Sequence, residues 1–333
     1  MTKCLIIGSG LVGLTTAYEL NKKGHKVTII DNNQKGQASK AAAGLLYPLS
    51  PWLNSERMQE LCINGHQEYN KFFENLSLYE RRKMSNEKKN LIVFGKNLDF
   101  AKKWYKKMNF IKTEYHEKKI NMIEKNIKEL FQDYLLIKDV NTVNPKFLIE
   151  FYKEKLKNKG IIFHNENIRD IYNFIDKSEN NIYDYIIIAA GSWSNQILQK
   201  SEIDLIPIKG QLLEIKIKKK LIENVLLFDD YYIIPRKNNT ILIGATVEDV
   251  GFESGITEKA KKYLKQPISR IFSTDINIME EKYTYGFRPR LSTSEPYIKK
   301  DNNNNRIIYN FGHYRYGVLT AITSAKIVNN LVI

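Results

Sequence analysis

Gly8-Ser9-Gly10-Leu11-Val12-Gly13 and Asp31 are the residues of this chain whose types and spacing point most directly to a chemistry. The glycines form a GxGxxG turn after the apolar run Lys3-Cys4-Leu5-Ile6-Ile7, and the acid closes a second apolar run about 20 residues on. Gly8 permits the tight turn, Gly10 lets backbone N–H groups approach a pyrophosphate, and Gly13 lets helix and strand pack closely. The pyrophosphate then rests at the positive end of a helix dipole, and Asp31 accepts from both ribose hydroxyls. Holding these groups takes a strand over 3–8, a helix over 11–23 and a strand over 26–31. That is one β-α-β unit, and it predicts a dinucleotide site.

Three further stretches belong with this fingerprint. Gly36-Gln37-Ala38-Ser39-Lys40-Ala41-Ala42-Ala43-Gly44-Leu45 has small side chains that let the backbone press against a large flat ligand, and the Ser39 hydroxyl suits a phosphate. A tightly packed, alanine-rich helix start would have the same composition. Tyr185-Ile186-Ile187-Ile188-Ala189-Ala190-Gly191 reads as a buried strand of a parallel sheet that ends in small residues beneath a nucleotide. Asn310-Phe311-Gly312-His313-Tyr314-Arg315-Tyr316-Gly317-Val318-Leu319 reads as a strand end, a turn and a helix start.

In this order the pieces resemble the D-amino-acid oxidase superfamily of FAD enzymes, and most closely glycine oxidase of the thiamine-biosynthesis type. The resemblance also rests on Ala189-Ala190-Gly191-Ser192-Trp193-Ser194, Pro207-Ile208-Lys209-Gly210-Gln211 and Tyr232-Ile233-Ile234-Pro235-Arg236. Gly244-Ala245-Thr246-Val247-Glu248, Gly286-Phe287-Arg288-Pro289 and Gly312-His313-Tyr314-Arg315 complete it. It spans nearly the whole chain, with little signal between about 83 and 139. It implies FAD as cofactor, held non-covalently, since no cysteine or histidine sits at an evident attachment point. The implied cofactor contacts are Gly8, Gly10, Leu11, Val12, Gly13, Asp31, Asn32, Ala38, Ser39, Ala42, Ala43, Gly44 and Leu45. Further contacts are implied from Ile168, Ala190, Gly191, Trp193 and Arg288, and from His313 through Leu319.

The resemblance makes Arg288, Tyr232 and Arg315 the catalytic set. A planar arginine fork suits the single carboxylate of an amino acid, and Arg288 follows a strand and precedes Pro289, which stiffens its backbone. An interlobe salt bridge is the other reading of Arg288. Arg315 is a second substrate contact over the flavin, and Tyr232 reaches the carboxylate while Tyr231 packs on the opposite face. N–H groups from Tyr316 to Leu319, at the mouth of the last helix, face the pyrimidine end of the ring, where the dipole favours negative charge. His313 reads as structural or a flavin-edge contact; His25, His66, His116 and His164 read as incidental. Arg236 and Lys209 read as framework pairs. Departures from the family pattern bear on the substrate. Asp230 replaces a histidine and contacts an amine or faces solvent, Tyr47 replaces a glycine and narrows the pocket, and Leu45 and Val247 replace methionines. Ile322 stands where proline is usual, and Arg290 is bulky.

At 333 residues with 43% hydrophobic content the chain can bury a large core in two lobes. No run approaches the roughly 18 apolar residues of a membrane span, and the early first strand leaves no room for a signal peptide. Cys4 and Cys62 read as two buried thiols in a reducing cytoplasm. The net charge of +15 is spread over lysine pairs such as Lys22-Lys23, Lys102-Lys103, Lys118-Lys119 and Lys261-Lys262, so it reads as solvated surface and not as a nucleic-acid patch. No metal-ligand cluster is evident in the sequence. The fold class expected is α/β (α+β overall), a Rossmann-like FAD-binding lobe with an inserted, mainly antiparallel-sheet substrate lobe. The FAD-binding domain comprises 1–82, 140–206 and 286–333, and the substrate-binding domain 83–139 and 207–285.

Between the first unit and the end of the chain the pattern predicts a helix over Met58–Leu76, a loop over Ser77–Asn90 and a strand over Leu91–Phe94. Helices follow over Asp99–Met108 and from Asn144-Pro145 to about Lys159, with a parallel strand over Ile161–His164. From Pro207 the period changes to antiparallel sheet: Leu212–Ile217, a hairpin of Tyr231–Pro235 and Thr240–Ala245, and Met279–Phe287. Arg306–Phe311 and a helix over Val318–Leu331 close the first lobe. The function this implies is FAD-dependent oxidative deamination of glycine or a similar small amine, giving an imine or oxo acid, ammonia and hydrogen peroxide, with oxygen as acceptor. In a thiamine pathway the imine itself is the product used. Other readings are a D-amino-acid or secondary-amine dehydrogenase that uses a quinone, a tRNA-modifying flavin module, and a flavin-binding protein without turnover. Oligomeric state stays open.

Overall fold

A computed structural model describes residues 1–107, 113–177, 182–199, 203–273 and 275–332. Its strands, in chain order, are β1 (Lys3–Ile7), β2 (Lys26–Ile30), β3 (Glu87–Phe94), β4 (Thr113–Glu117), β5 (Asp133–Thr142), β6 (Ile162–His164) and β7 (Tyr185–Ile188). They continue as β8 (Leu205–Ile217), β9 (Val225–Phe228), β10 (Tyr231–Arg236), β11 (Thr240–Gly244), β12 (Ile278–Leu291), β13 (Tyr297–Lys300) and β14 (Ile307–Phe311). The helices are α1 (Leu11–Lys22), α2 (Glu56–Glu74), α3 (Leu78–Lys83), α4 (Leu98–Lys107), α5 (Pro145–Lys157), α6 (Ile171–Asp176), α7 (Ser194–Leu198), α8 (Glu258–Ile271) and α9 (Ala321–Leu331).

Two sheets divide these strands. One has the order β13-β14-β7-β1-β2-β6, parallel except at β13, and the other β12-β8-β11-β10-β9-β3-β5-β4, antiparallel except where β3 meets β9. β1 and β7 are runs of Ile and Leu because helices cover both faces of the six-stranded sheet, leaving no face for polar residues. On one side Ile6, Ile29 and Ile187 pack with α1, α2, α5 and α9; on the other Leu5, Ile7, Ile186 and Ile188 pack with α6 and α7. The mixed α/β class expected from the sequence is the one observed. Cys4 and Cys62 are both free and buried.

The structure corrects several element boundaries, among them that of β8, which begins at Leu205 and not at Leu212. Residues 77–90 are not a loop: Ser77 accepts the Glu80 N–H while the Glu80 carboxylate accepts from Ser77, a reciprocal cap that starts α3, and β3 begins at Glu87. β12 runs past Phe287 to Leu291, so Arg288 lies inside a strand instead of after one. β12 is an edge strand, and Pro289 faces Pro207 there, so neither missing N–H breaks a needed bond. α9 starts at Ala321, three residues later than the pattern suggests. The preceding turn is held by tertiary bonds, with Tyr69 donating to the Val318 carbonyl and Tyr316 to that of Leu49. α4 is observed to Lys107; Met108 lies outside the described residues. Among the described residues no helix is long and apolar enough to cross a membrane.

Candidate functional site

A cavity of about 940 Å³ runs between the two sheets, from Asp31 and Glu166 at one end to Tyr232, Arg288 and Arg315 at the other. Its volume is at the upper end for ligand pockets, as an extended ligand requires. At the first end the β1–α1 turn is built without slack. Gly8 has φ +111°, and a Cβ there would stand 2.4 Å from the Ala189 carbonyl oxygen; a Cβ on Gly13 would stand 1.9 Å from that of Gly8. α1 is capped by Gly10 with no side-chain bond and carries no acid in its first turn, so the positive end of a 12-residue helix opens to the cavity.

Ser39 accepts the Leu11 N–H at 3.1 Å, which leaves its own hydroxyl hydrogen to donate. Asp31 accepts from the Ser9 N–H at 2.5 Å with one oxygen, and from the Asn33 N–H at 2.6 Å and the Gln37 amide at 3.1 Å with the other. The carboxylate thereby ties together the two loops that frame this end. These features suit a dinucleotide with a pyrophosphate at the helix start and a ribose at Asp31, and FAD fits the residues present.

At the other end sheet register places the side chains. Tyr232 on β10 stands directly opposite Gly244 on β11, and its ring lies over that glycine; a Cβ on Gly244 would meet ring carbon Cζ at 2.2 Å. Gly210 on β8 is paired with Gly286 on β12, and Arg288, two residues along on the same face, folds back across it. A Cβ on Gly210 would stand 2.1 Å from the guanidinium carbon. Arg288 donates to the Thr246 carbonyl at 2.9 Å. Thr246 is itself fixed, because its hydroxyl accepts the Gln211 N–H at 2.9 Å while the Gln211 amide binds Glu248 and Thr257.

The charges here are strongly coupled. Burial pulls the Arg288 guanidinium below its usual value, with Tyr232 opposing and Arg315 reinforcing. Burial pushes the Tyr232 phenol up, against the pull of the two arginines, so it stays a donor. At Arg315 burial is the largest single influence and acts downward, but Tyr314, Tyr316 and Tyr232 together outweigh it and the net shift is upward. The arrangement is a desolvated positive end with hydroxyl and guanidinium donors, which calls for an anion.

Of the residues singled out in the sequence, the cavity is lined by Gly8, Gly10, Val12, Asp31, Asn32, Ala38, Ser39, Ala42, Ala43, Gly44, Leu45 and Tyr47. Ile168, Ala190, Gly191, Trp193, Asp230, Tyr232, Val247, Arg288 and the run His313 to Leu319 line it as well. Leu11 and Gly13 do not: the first spends its N–H on Ser39 and the second packs on Gly8. The Tyr316 N–H donates to the His313 carbonyl at 2.9 Å, so it is not free to face a ligand. His313 is locked between Asn310 at 3.0 Å and Thr320 at 2.9 Å, and burial pushes its imidazole down to about 3, so it is neutral. Asp230 pairs with Lys96 at 2.6 Å on the rim, and Arg290 with Asp249 at 3.4 Å. Arg236 donates to the Ala43 carbonyl, which anchors the small-residue run.

Several contributors carried no explicit role in the sequence reading. Gly210 and Gly244 make room for the two key side chains, and Gln211 and Thr246 fix one of them. His66 bonds the Leu46 carbonyl at 3.0 Å and meets the Tyr47 ring edge-on at 5.1 Å, so it supports the cavity wall. Leu227 and Tyr263 add apolar lining. Gly210 depends on the pairing of β8 with the distant β12, and His66 and Tyr263 on the packing of α2 and α8, which local patterns do not encode.

A family model for DAO, FAD dependent oxidoreductase, matches residues 3–331. Glycine oxidase of Pseudomonas aeruginosa is 25% identical over 344 residues, covering 99% of this chain and 94% of the relative. The crystal structure of glycine oxidase from Bacillus cereus superposes with a TM-score of 0.84 at 21% identity, over 99% of this chain and 94% of that one. Iminodiacetate oxidase from Chelativorans sp. BNC1 superposes with a TM-score of 0.85 at 21% identity, over 99% and 95%.

Proposed function

The chain belongs to the DAO family of FAD-dependent oxidoreductases, and from that premise we propose that it oxidises glycine or a similarly small amine-bearing acid. The observation that carries this reading is the juxtaposition of Arg288, Tyr232 and Arg315 at the end of the cavity remote from Asp31. The chemistry FAD supplies when bound is acceptance of a hydride from the substrate carbon. The β1–α1 turn, Ser39 and Asp31 would hold its pyrophosphate and ribose, and Ala190, Gly191 and the 313–319 turn would flank the rest.

The chain's own part is to bind and to orient. Arg288 grips the substrate carboxylate through the guanidinium edge that Thr246 does not use, and the protonated Tyr232 hydroxyl donates a further bond. Arg315 adds a second positive charge, so the acid exchanges its hydration for two guanidinium groups already desolvated in the folded chain. Leu45, Tyr47, Leu227 and Tyr263 wall this end and select a small substrate. The neutral His313, occupied at both ring nitrogens, holds the 313–320 turn in place and takes no proton. The imine formed hydrolyses to the oxo acid and ammonia, with oxygen as the final acceptor and hydrogen peroxide as its product. The division into a FAD-binding domain (1–82, 140–206, 286–333) and a substrate-binding domain (83–139, 207–285) belongs to this reading. The six-stranded sheet falls in the first, and β5, β8 and β12 of the other sheet cross between them.

Anaerobic mixing of the flavin-loaded protein with glycine, followed by air, tests the reading. Bleaching of the flavin band, with recovery and peroxide on aeration, supports it. Bleaching without recovery in air overturns the oxygen assignment in favour of another acceptor. No bleaching with glycine, sarcosine or iminodiacetate overturns the substrate class.

A further inference from the structure

A second cavity, of about 230 Å³, lies where α2, α3, β3 and β5 meet, and none of the chemistry above uses it. Arg81, Arg82 and Lys88 line it, against one acid, Glu74. The other carboxylates nearby are already committed: Glu80 to Lys155 at 2.8 Å, Glu87 to Lys89 at 2.9 Å and Glu154 to Lys83 at 2.5 Å. Among the described residues, therefore, the three cations facing this opening form no salt bridge. The Nε–H of Arg81 is closed off from solvent and meets no acceptor. Leaving a charged donor enclosed and unpaired is unfavourable, and a bound acceptor removes that penalty.

The rest of the lining is Phe73, Leu78 and three asparagine amides that are held in place. The Asn86 amide donates to Asn141 at 2.9 Å, Asn141 donates to Asn70 at 2.6 Å, and Asn70 reaches the His66 ring at 3.2 Å. Each amide nitrogen of Asn70 and Asn141 carries a second N–H beyond these bonds. Guanidinium forks and amide donors around a volume this size match a compact anion with several acceptor oxygens.

We propose that this cleft is a binding site for a small tetrahedral oxyanion, inorganic phosphate in the first instance, held by Arg81, Arg82 and Lys88 over the Asn70–Asn141 amides. The site is separate from the large cavity but shares its wall, since His66 at the end of the amide chain holds the Leu46 carbonyl beside Tyr47.

Isothermal titration of the flavin-loaded protein with inorganic phosphate tests this, with flavin content and melting temperature checked for every variant. One saturable site is expected in the unmodified protein. The single variant Arg82→Gln and the double variant Arg81→Gln/Arg82→Gln are expected to weaken it, the double at least tenfold. Arg288→Ala, which removes a cation from the large cavity, and Lys261→Gln/Lys262→Gln, which removes charge on α8, are expected to leave it unchanged. No saturation, or undiminished binding in the double variant, overturns the proposal. Loss of binding in Arg288→Ala places the anion in the large cavity instead, and equal weakening in the α8 variant reduces the effect to diffuse surface charge; either result also overturns it.

Discussion

Gly210→Ala is the most incisive perturbation of the proposed substrate end, because it displaces Arg288 without removing it. The new methyl carbon would stand 2.1 Å from the guanidinium carbon and from one of its terminal nitrogens. Non-bonded heavy atoms settle at roughly 3.5–4.0 Å, so the guanidinium must withdraw by about 1 Å or more. The displaced atoms are the far end of a flexible side chain, and Gly210 sits in a regular strand, so stability should fall by only about 1 kcal/mol. Binding should suffer far more. Losing well-aligned hydrogen bonds to a charged group corresponds to about 1.5–3 kcal/mol, which is roughly 10- to 150-fold in kcat/KM. The assay is anaerobic stopped-flow reduction as a function of glycine concentration, with flavin content and melting temperature measured in parallel. Full flavin, near-normal melting and a weakened glycine dependence are expected. Gly13→Ala is the contrast: its methyl would meet a backbone oxygen at 1.9 Å, and the damage should appear in folding and flavin content. An unchanged glycine dependence in Gly210→Ala would refute the placement of Arg288 against the substrate.

Other outcomes follow from the same geometry. Gly10→Val puts a branched side chain at the opening of α1, where even a Cβ already lies 3.3 Å from the Ser39 oxygen; the purified variant is expected to lack FAD, and a full flavin band would refute the cofactor placement. His313 is pushed down to about 3 from the ordinary 6.5, so between those values the unfolded chain binds the proton that the folded one refuses. Its contribution is therefore present above pH 6.5 and lost as pH falls toward 3, by up to about 1.4 kcal/mol per pH unit. His313→Gln should show a smaller drop in melting temperature between pH 7 and pH 5 than the unmodified protein, and an equal drop would count against the buried neutral imidazole. Ser77→Ala removes the reciprocal cap of α3 and should lower stability by about 1 kcal/mol in a denaturant titration, with activity unchanged.

What could be read from the sequence was what is local. The β1–α1–β2 unit is short, its glycines answer to contacts within itself and with β7, and its fingerprint is contiguous. The capping box Ser77-Leu78-Tyr79-Glu80 is equally local, and the charged composition around it obscured a signal that was present. β4, β5, β9 and β13 were not anticipated, because they are short or polar on one face and acquire their character from partners. Glu117 on β4, for example, pairs with Asp133 on β5. The strand expected to end at Phe287 continues through Arg288 and Pro289, although a missing N–H would matter in a central strand. At the edge position of β12, opposite Pro207, it does not.

The candidate site divides along the same line. That Arg288, Tyr232 and Arg315 meet in one cavity was legible as residue type and resemblance, but how they are held was not. Gly210 lies 78 positions before Arg288 in the numbering, and only the β8–β12 register brings that glycine under the guanidinium. Gly244 accommodates Tyr232 through the β10–β11 hairpin in the same way. In both cases the side chain that would touch substrate lies on a position where its neighbour has no side chain at all. That makes the two glycines as specific to the site as the residues above them: adding one methyl moves the fork or the phenol by about the distance that separates a hydrogen bond from none. A site built this way tolerates change on its rim, where Asp230 and Lys96 are exposed and paired, far better than on its floor. Substitutions that alter substrate choice should therefore be found at the rim and wall residues Tyr47, Asp230 and Val247, while anything larger at Gly210 or Gly244 should cost the proposed grip on a carboxylate.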